Sequence, residues 1–411
     1  MWYGPGAAHK CSLRDSFMDY YQQLKNIYHW CQASFWRVWY GSPDTHLHIF
    51  GVTGTNGKTT TSYLLTSILG EAFGQDKVGM LTTVAFRVGT EETMNETKMT
   101  TLPSRLVYKY LRKMQVAKVT HVVLEMTSHA LDQHRLAGIK LDGAIILNVE
   151  REHLDYHKTM EAYAGAKARI IHYLKLDAPL VGKADDERVK AMLELAKNVG
   201  YPIVEFTAKQ ALGQVTKLEG AFNKENALAA SLLARAVAIP EAAITAGIDK
   251  VTFVPGRMQW ITAPAGFKVL IDYAVTPDAL ERLYAYTKQA TTGKVFGVLG
   301  AAGLRDRGKR ADMARIVKKY TDFLVITRED PWTEPEEQIF ADLEAGLDKN
   351  DATWKRIVDR KEALQFVLSQ AQAGDIVVVT GKGAETGMAI GNTVVPWSEV
   401  GVIKELLQRN A

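Results

Sequence analysis

The chain has 411 residues, 47% hydrophobic and 23% charged. At about 150 residues per domain this predicts two or three folded domains and excludes a disordered, collagenous or coiled-coil chain. Lysine and arginine total 50 against 46 aspartate and glutamate, a net charge of +4 that is too small to point to nucleic acid. The two cysteines, Cys11 and Cys31, cannot build a four-cysteine zinc site, and a body without disulfides suits a reducing cytoplasm. There is no apolar run of about 20 residues to span a bilayer, and no signal-peptide pattern at the start.

Residues 1–45 stand apart. Four of the eight tryptophans lie there (Trp2, Trp30, Trp36, Trp39), and Phe17, Tyr20, Tyr21, Leu24, Ile27, Tyr28, Cys31, Phe35 and Val38 recur at helical spacing up to the stop at Gly41-Ser-Pro-Asp44. An aromatic-rich helix is expected, packed on the body or, through residues 13–40, offered to a membrane surface or a partner protein. From residue 47 apolar β-type runs (47–52, 120–124, 144–147, 268–272, 294–299, 323–327, 376–380) alternate with helical patterns (58–70, 103–115, 159–174, 223–237, 277–289, 360–371). Alternation of this kind means parallel sheets covered by helices on both faces. The turn Val254-Pro-Gly256 divides the series. The expectation is an α/β chain with an N-terminal segment 1–45, a central P-loop parallel-sheet domain 46–256 and a C-terminal Rossmann-like domain 257–411.

The sharpest local signal is His48-Ile-Phe-Gly-Val-Thr-Gly-Thr-Asn-Gly-Lys-Thr-Thr60, an apolar strand running through a glycine-rich turn into a helix. Backbone amides of Gly54, Thr55, Asn56, Gly57 and Thr60 suit phosphate oxygens, Lys58 reaches the β/γ-phosphates, and the Thr59 hydroxyl suits Mg²⁺. Val52 stands where the common P-loop pattern has its first glycine.

The variant Gly-Thr-Asn-Gly-Lys-Thr-Thr resembles the Mur ligase superfamily of ATP-dependent amide-bond synthetases, and the resemblance runs over roughly 47–410. Leu124-Glu-Met-Thr-Ser-His-Ala-Leu-Asp-Gln-His-Arg135, Glu150-Arg-Glu-His-Leu-Asp-Tyr-His157, Ala166-Lys-Ala-Arg169, Gly220-Ala-Phe-Asn-Lys-Glu-Asn-Ala227 and Val254-Pro-Gly-Arg-Met258 carry it in the first part. Asp272-Tyr-Ala-Val-Thr-Pro277, Arg305-Asp-Arg-Gly-Lys-Arg310 and Gly381-Lys-Gly-Ala-Glu385 carry it in the second. Within the superfamily the resemblance is to the branch that adds the third residue of the peptidoglycan stem.

That resemblance implies a two-step enzyme, and a cytoplasmic monomer is expected. ATP phosphorylates the terminal carboxylate of a UDP-sugar dipeptide, and the amine of a free amino acid then displaces phosphate. Two anions meet in the first step, so positive charge has to be concentrated there. Lys58 supplies it, with Mg²⁺ held by Thr59 and Glu125. His153 and Lys167 are implied to support a second Mg²⁺, Lys167 as a carbamate formed from CO₂. Asn223, Asn226, Arg257, Asp272 and Asn148 are carried to the nucleotide; the asparagines equally suit a helix start and Asp272 a turn. Thr100, Thr101, Ser128, Gln133 and Arg135 are carried to the UDP-sugar peptide, and Arg305, Glu329, Asp330, Trp332, Gly381 and Glu385 to the incoming amino acid.

The sequence departs from the pattern in three places. About 45 residues precede the P-loop unit, too few for the family's UDP-gripping domain of about a hundred residues. Trp332 stands where diaminopimelate-adding members have an arginine for the distal carboxylate, while Glu329, Asp330 and Glu385 suit a cation; a lysine-like substrate is therefore expected over diaminopimelate. Val275, Leu304 and Ala384 replace polar residues. A folylpolyglutamate-type or other ligase of the superfamily, or an ATP-binding scaffold without turnover, are the alternative readings.

Overall fold

The computed structural model describes residues 13–409, without the side chains of 13–21 and 23. Trp2, Cys11 and the side chains of Phe17, Tyr20 and Tyr21 lie outside the described residues. The chain builds two sheets in sequence. The first contains β1 (His48–Thr53), β2 (Val78–Leu81), β3 (Ala85–Val88), β4 (Glu91–Met94), β5 (His121–Glu125), β6 (Gly143–Ile146), β7 (Leu180–Lys183) and β8 (Ile203–Phe206), in the order β4-β3-β2-β5-β1-β6-β7-β8. All neighbours are parallel except β3, antiparallel to both β2 and β4. The second contains β9 (Gln259–Thr262), β10 (Lys268–Asp272), β11 (Val295–Leu299), β12 (Phe323–Ile326), β13 (Trp354–Arg356) and β14 (Ile376–Thr380), ordered β13-β12-β11-β14-β10-β9 and parallel apart from β9. A hairpin of β15 (Gly387–Ile390) and β16 (Thr393–Pro396) follows.

Successive strand residues serve opposite cores. Ile49, Val122, Leu124 and Ile146 pack under the helices Ser104–Val116 and Glu187–Val199, while Phe50, Val52, Val123 and Ile145 pack under Lys58–Phe73, Ala221–Ala236 and Glu241–Lys250. The second sheet repeats the scheme, with Leu270, Leu299 and Val378 on one face and Val269, Val298 and Val379 on the other. Each such side chain contributes about 1.5–3 kcal/mol by leaving water, and two-sided burial is why these strands read as unbroken apolar runs.

The parallel strands aim their carboxyl ends at one cleft. The P-loop follows β1, Glu125 ends β5, Asn148 follows β6, Asp272 ends β10, Glu329 follows β12 and Gly381 follows β14. Ligands bind at such strand ends in open α/β sheets. The end of β14 is pinned by Arg360, 1% exposed, which donates to Thr380 O at 2.8 Å and pairs with the fully buried Glu399 at 2.9 Å.

The N-terminal helix runs Leu13–Trp39. It buries Ala33 and half-buries Trp36 against the helix Ser104–Val116, with Arg105 over the Trp36 ring at 5.2 Å. Among its described side chains, Tyr28, Trp30, Phe35 and Trp39 do not join that contact and are each more than half exposed. Among the described residues no helix is long and apolar enough to cross a membrane.

Candidate active site

Between the two sheets lies a cavity of about 430 Å³. The P-loop forms one wall. Asn148 shapes it, its Oδ1 accepting from Thr55 N at 3.0 Å and Asn56 N at 2.8 Å while its amide donates to Asn56 O. Gly57 has φ +84° at the helix start, and a methyl group there would stand 2.2 Å from Asn226 Oδ1, so only glycine fits. Lys58 folds back over the loop, donating to the carbonyls of Gly54 and Thr55 at 3.1 and 2.8 Å.

The Thr59 hydroxyl donates to Glu125 Oε2 at 3.0 Å, and the buried Glu125 is held from behind by Thr83 N and Oγ1. Arg257, from the linker into the second sheet, reaches Thr59 Oγ1 at 3.5 Å and stacks over the Tyr273 ring at 4.4 Å. Asn223 and Asn226 face the cavity from the first two turns of the helix Ala221–Ala236, whose cap is Gly220, and they bond to each other at 3.1 Å. Asp272 also lines the cavity, with both oxygens engaged by backbone amides, Met258 N and Ala274 N, each at 2.8 Å.

Lys167 lies just behind the loop. It is 2% exposed, donates to Gly54 O at 2.7 Å and sits over the Tyr163 ring. Burial first, and then the charge of Lys58, push its amine well below the ordinary lysine range. His153, a non-glycine residue at φ +57°, faces the cavity beside Glu152, 3.7 Å away. It packs edge-on to His129, whose ionisation burial and the neighbouring histidines drive down to about 2.

Thr100, Thr101 and Arg135 line the opposite wall. Arg135 is fixed by Gln133 Oε1 at 2.8 Å and Thr101 O at 3.3 Å. Gln133 and Ser128 do not line the cavity: Gln133 orients Arg135, and Ser128, 1% exposed, bonds His157 Nε2 at 3.0 Å. Arg305 reaches the cavity from the C-terminal unit, exposed at its rim.

The acidic residues carried to the incoming amino acid behave differently from the expectation. Glu329 lines the cavity. Burial and the charge of Asp330 push it up to about 7, and its Oε2 has no hydrogen-bond partner. Gly381, at φ +101°, leaves the room this carboxyl group fills. Asp330 and Glu385 stand behind the lining, and neither is free to receive a cation. Lys382, fully buried, bonds Asp330 at 2.8 Å and Glu385 at 2.5 Å, and Lys98 bonds the same two at 2.6 and 3.2 Å. Burial raises the Asp330 carboxyl, but these lysines outweigh it and hold the group below the ordinary aspartate value. The charge argument for a lysine-like substrate therefore fails at these two residues. Trp332 lies off the cavity as well, its backbone bonded to Ala389 and Gly391 of the hairpin.

Several lining residues were not singled out from sequence. His129, Lys309 and Arg310 sit inside recognised motifs, so position within those motifs was the available signal. Glu152 likewise sits inside the Glu150–His157 motif, whereas Lys98 and Arg282 carry no such signal, since a charged residue on a loop or helix looks alike whether it faces solvent or a cleft.

Residues 52–217 match the Mur ligase middle domain, and residues 256–383 match the Mur ligase, glutamate ligase domain. A UDP-N-acetylmuramyl-tripeptide synthetase of Roseiflexus sp. (strain RS-1) is 36% identical over 90% of this chain and 80% of its own. A UDP-N-acetylmuramoyl-L-alanyl-D-glutamate–2,6-diaminopimelate ligase of Alkaliphilus metalliredigens (strain QYMF) is 34% identical over 90% of this chain and 78% of its own. A solved ligase of the latter description superimposes with a TM-score of 0.57 at 32% identity, covering 89% of this chain and 79% of that one. A Mycobacterium tuberculosis folylpolyglutamate synthase complexed with ADP shares the fold, at a TM-score of 0.68 and 18% identity over 86% of this chain and 91% of that one. With a phosphate loop, a facing arginine wall and a second sheet closing one cleft, and with relatives of this identity over most of its length, the chain belongs to the Mur ligase family of ATP-dependent ligases.

Proposed function

We propose that the chain joins a free amino acid to a UDP-N-acetylmuramoyl-dipeptide through an acyl phosphate, at the expense of ATP, in peptidoglycan synthesis. The observation that carries this reading is the sharing of one cavity by Lys58, the Thr59–Glu125 pair, Arg135 and Arg305. Lys58 lies where it can turn from the loop carbonyls to phosphate oxygens. Arg135, braced by Gln133, is set to hold a carboxylate or phosphate of the acceptor, and its fork suits two oxygens at once. Arg305 stands across from it for the incoming amino acid. Asn223, Asn226, Arg257 and Asp272 are assigned to the nucleotide.

The residues present fit magnesium, because Thr59 and Glu125 put two hard oxygen donors on the same wall. A bound ion there would neutralise phosphate charge as the acceptor carboxylate approaches. Lys167 fits carbamylation because burial pushes its amine well below the ordinary lysine range, toward the neutral form that attacks CO₂, and His153 with Glu152 would complete the support of a second ion. We also assign residues 1–45, 46–256 and 257–411 as the N-terminal segment and the two domains. The first sheet and its covering helices end by Lys250, and the second sheet begins at Gln259.

Phosphate release with ATP, Mg²⁺ and UDP-N-acetylmuramoyl-L-Ala-D-Glu, against lysine, ornithine and diaminopimelate, tests the proposal. Release that requires the dipeptide and one amino acid is expected. A protein that binds ATP yet releases none with any of them would overturn it.

A further inference from the structure

Lys98 belongs to the loop between β4 and the helix Ser104–Val116, on the central unit, yet its ammonium lies in the C-terminal unit between Asp330 and Glu385. The loop is built to send it there. Asn95 is 7% exposed; its Oδ1 accepts from Thr97 N and Oγ1 at 2.9 and 2.7 Å, and its amide donates to Met99 O at 2.9 Å and Thr82 O at 3.0 Å. These bonds clamp the residues on either side of Lys98, which itself takes φ +55°.

The ion-paired charges at this spot balance. Asp330 and Glu385 supply two negative charges, and Lys98 and Lys382 supply two positive ones. The Asp330 oxygens are also engaged by Ala389 N at 2.8 Å. Of the three N–H groups on Lys98, two are used by the carboxylates, and Lys98 lines the cavity. One donor therefore remains for a ligand.

We propose that Lys98 is the residue that selects the incoming amino acid: it occupies the cationic position between Asp330 and Glu385, excludes a side chain that ends in a bare ammonium, and offers its remaining N–H to a distal carboxylate. This rests on the ligase reading above. A lysine or ornithine side chain entering here would meet a like charge already holding both carboxylates, which is selection by repulsion. Trp332 has neither the charge nor the position to read a distal carboxylate, whereas Lys98 has both. Glu329 lines the cavity beside this cluster, with its Oε2 buried against Gly381.

The test is phosphate release by the full chain with ATP, Mg²⁺ and the UDP-dipeptide, titrated with lysine and with meso-diaminopimelate. For the unaltered protein the KM for lysine is expected at least about tenfold above that for diaminopimelate. In Lys98→Met that ratio should collapse by about tenfold or more, with the change in KM for both amino acids, and Lys98→Gln should follow it. A lower KM for lysine than for diaminopimelate in the unaltered protein overturns the proposal whether or not a variant folds. So does a folded variant whose KM ratio matches the unaltered one. No release with either amino acid, from protein that binds ATP, overturns the ligase reading and this selection with it; turnover with the wrong preference overturns the selection alone.

Discussion

The phosphate loop and the pocket proposed for the amino acid are built in opposite ways. The first is a contiguous stretch, Gly54 to Thr60, whose glycines, lysine and threonines work within a few bonds of one another, so spacing along the chain is spacing in the fold. The second is assembled from Lys98, Glu329, Asp330, Lys382 and Glu385, with 287 positions separating the first from the last. A local motif announces its chemistry, whereas a pocket made by long-range ion pairing hides it. The acidic residues alone read as a site for a cation until the lysines that pair with them are seen.

The contrast can be tested from its strongest point outward. Lys58→Ala removes the fixed cation of the contiguous site and should lower phosphate release about a thousandfold, with the fold intact by circular dichroism. A loss under tenfold would mean that charge from the distant segments suffices. In the dispersed pocket the largest effect is on stability. The folded Glu329 carboxyl keeps its proton up to about pH 7, against about 4.5 in an ordinary glutamate. The folded state therefore binds more protons between those values, and stability falls as pH rises through them, by about 3 kcal/mol from this group. Glu329→Gln should flatten that part of the pH profile in urea unfolding, and an unchanged profile would remove the group from the account.

Lys167 joins the two kinds of site, since a buried helix residue reaches the loop carbonyl of Gly54. Lys167→Met should cost about a hundredfold in turnover. Isotopically labelled bicarbonate should give a carbamate signal by NMR in the unaltered protein and none in the variant; its absence from both would refute the modification. Smallest is Arg282, about one-third exposed, which contacts Glu150 and Glu225 of the central unit at 3.5 and 3.6 Å. Exposed pairs are worth about 0–1 kcal/mol, so Arg282→Ala should change KM for ATP by less than about fivefold, and by less still at high salt.

The same division governs what could be read in advance. The long apolar runs at 47–52, 120–124, 268–272 and 376–380 became β1, β5, β10 and β14, because strands buried on both faces must be apolar throughout. Other strands lie outside the apolar runs for different reasons: Glu91–Met94 is exposed along its length and Trp354–Arg356 has no fully buried residue, so neither carries a hydrophobic signature, while β2 and β7 are buried throughout but only four residues long with a glycine inside. The helix Arg310–Tyr320 was hidden differently, burying Met313, Ala314 and Val317 beneath a surface of charge, with Arg310 itself turned inward onto Glu334 and Asp342. The expected helix over 159–174 closes at Ala168 and tightens to a 3₁₀ turn over Arg169–Tyr173. In the cleft, motif residues came together where backbone continuity placed them, whereas Ser128, Gln133 and Trp332 moved to supporting positions because side-chain direction is not written in spacing.

Lys98 lies on one sheet's loop and its partners on the other's strands, and the phosphate loop likewise touches the far unit through Asn56 to Thr276 at 3.4 Å and Thr59 to Arg257. The phosphate loop and the proposed amino-acid pocket thus both take residues from the two units, so a shift of one unit against the other links their occupancies. Whatever factor ATP adds to the affinity for the amino acid, the amino acid must add to the affinity for ATP.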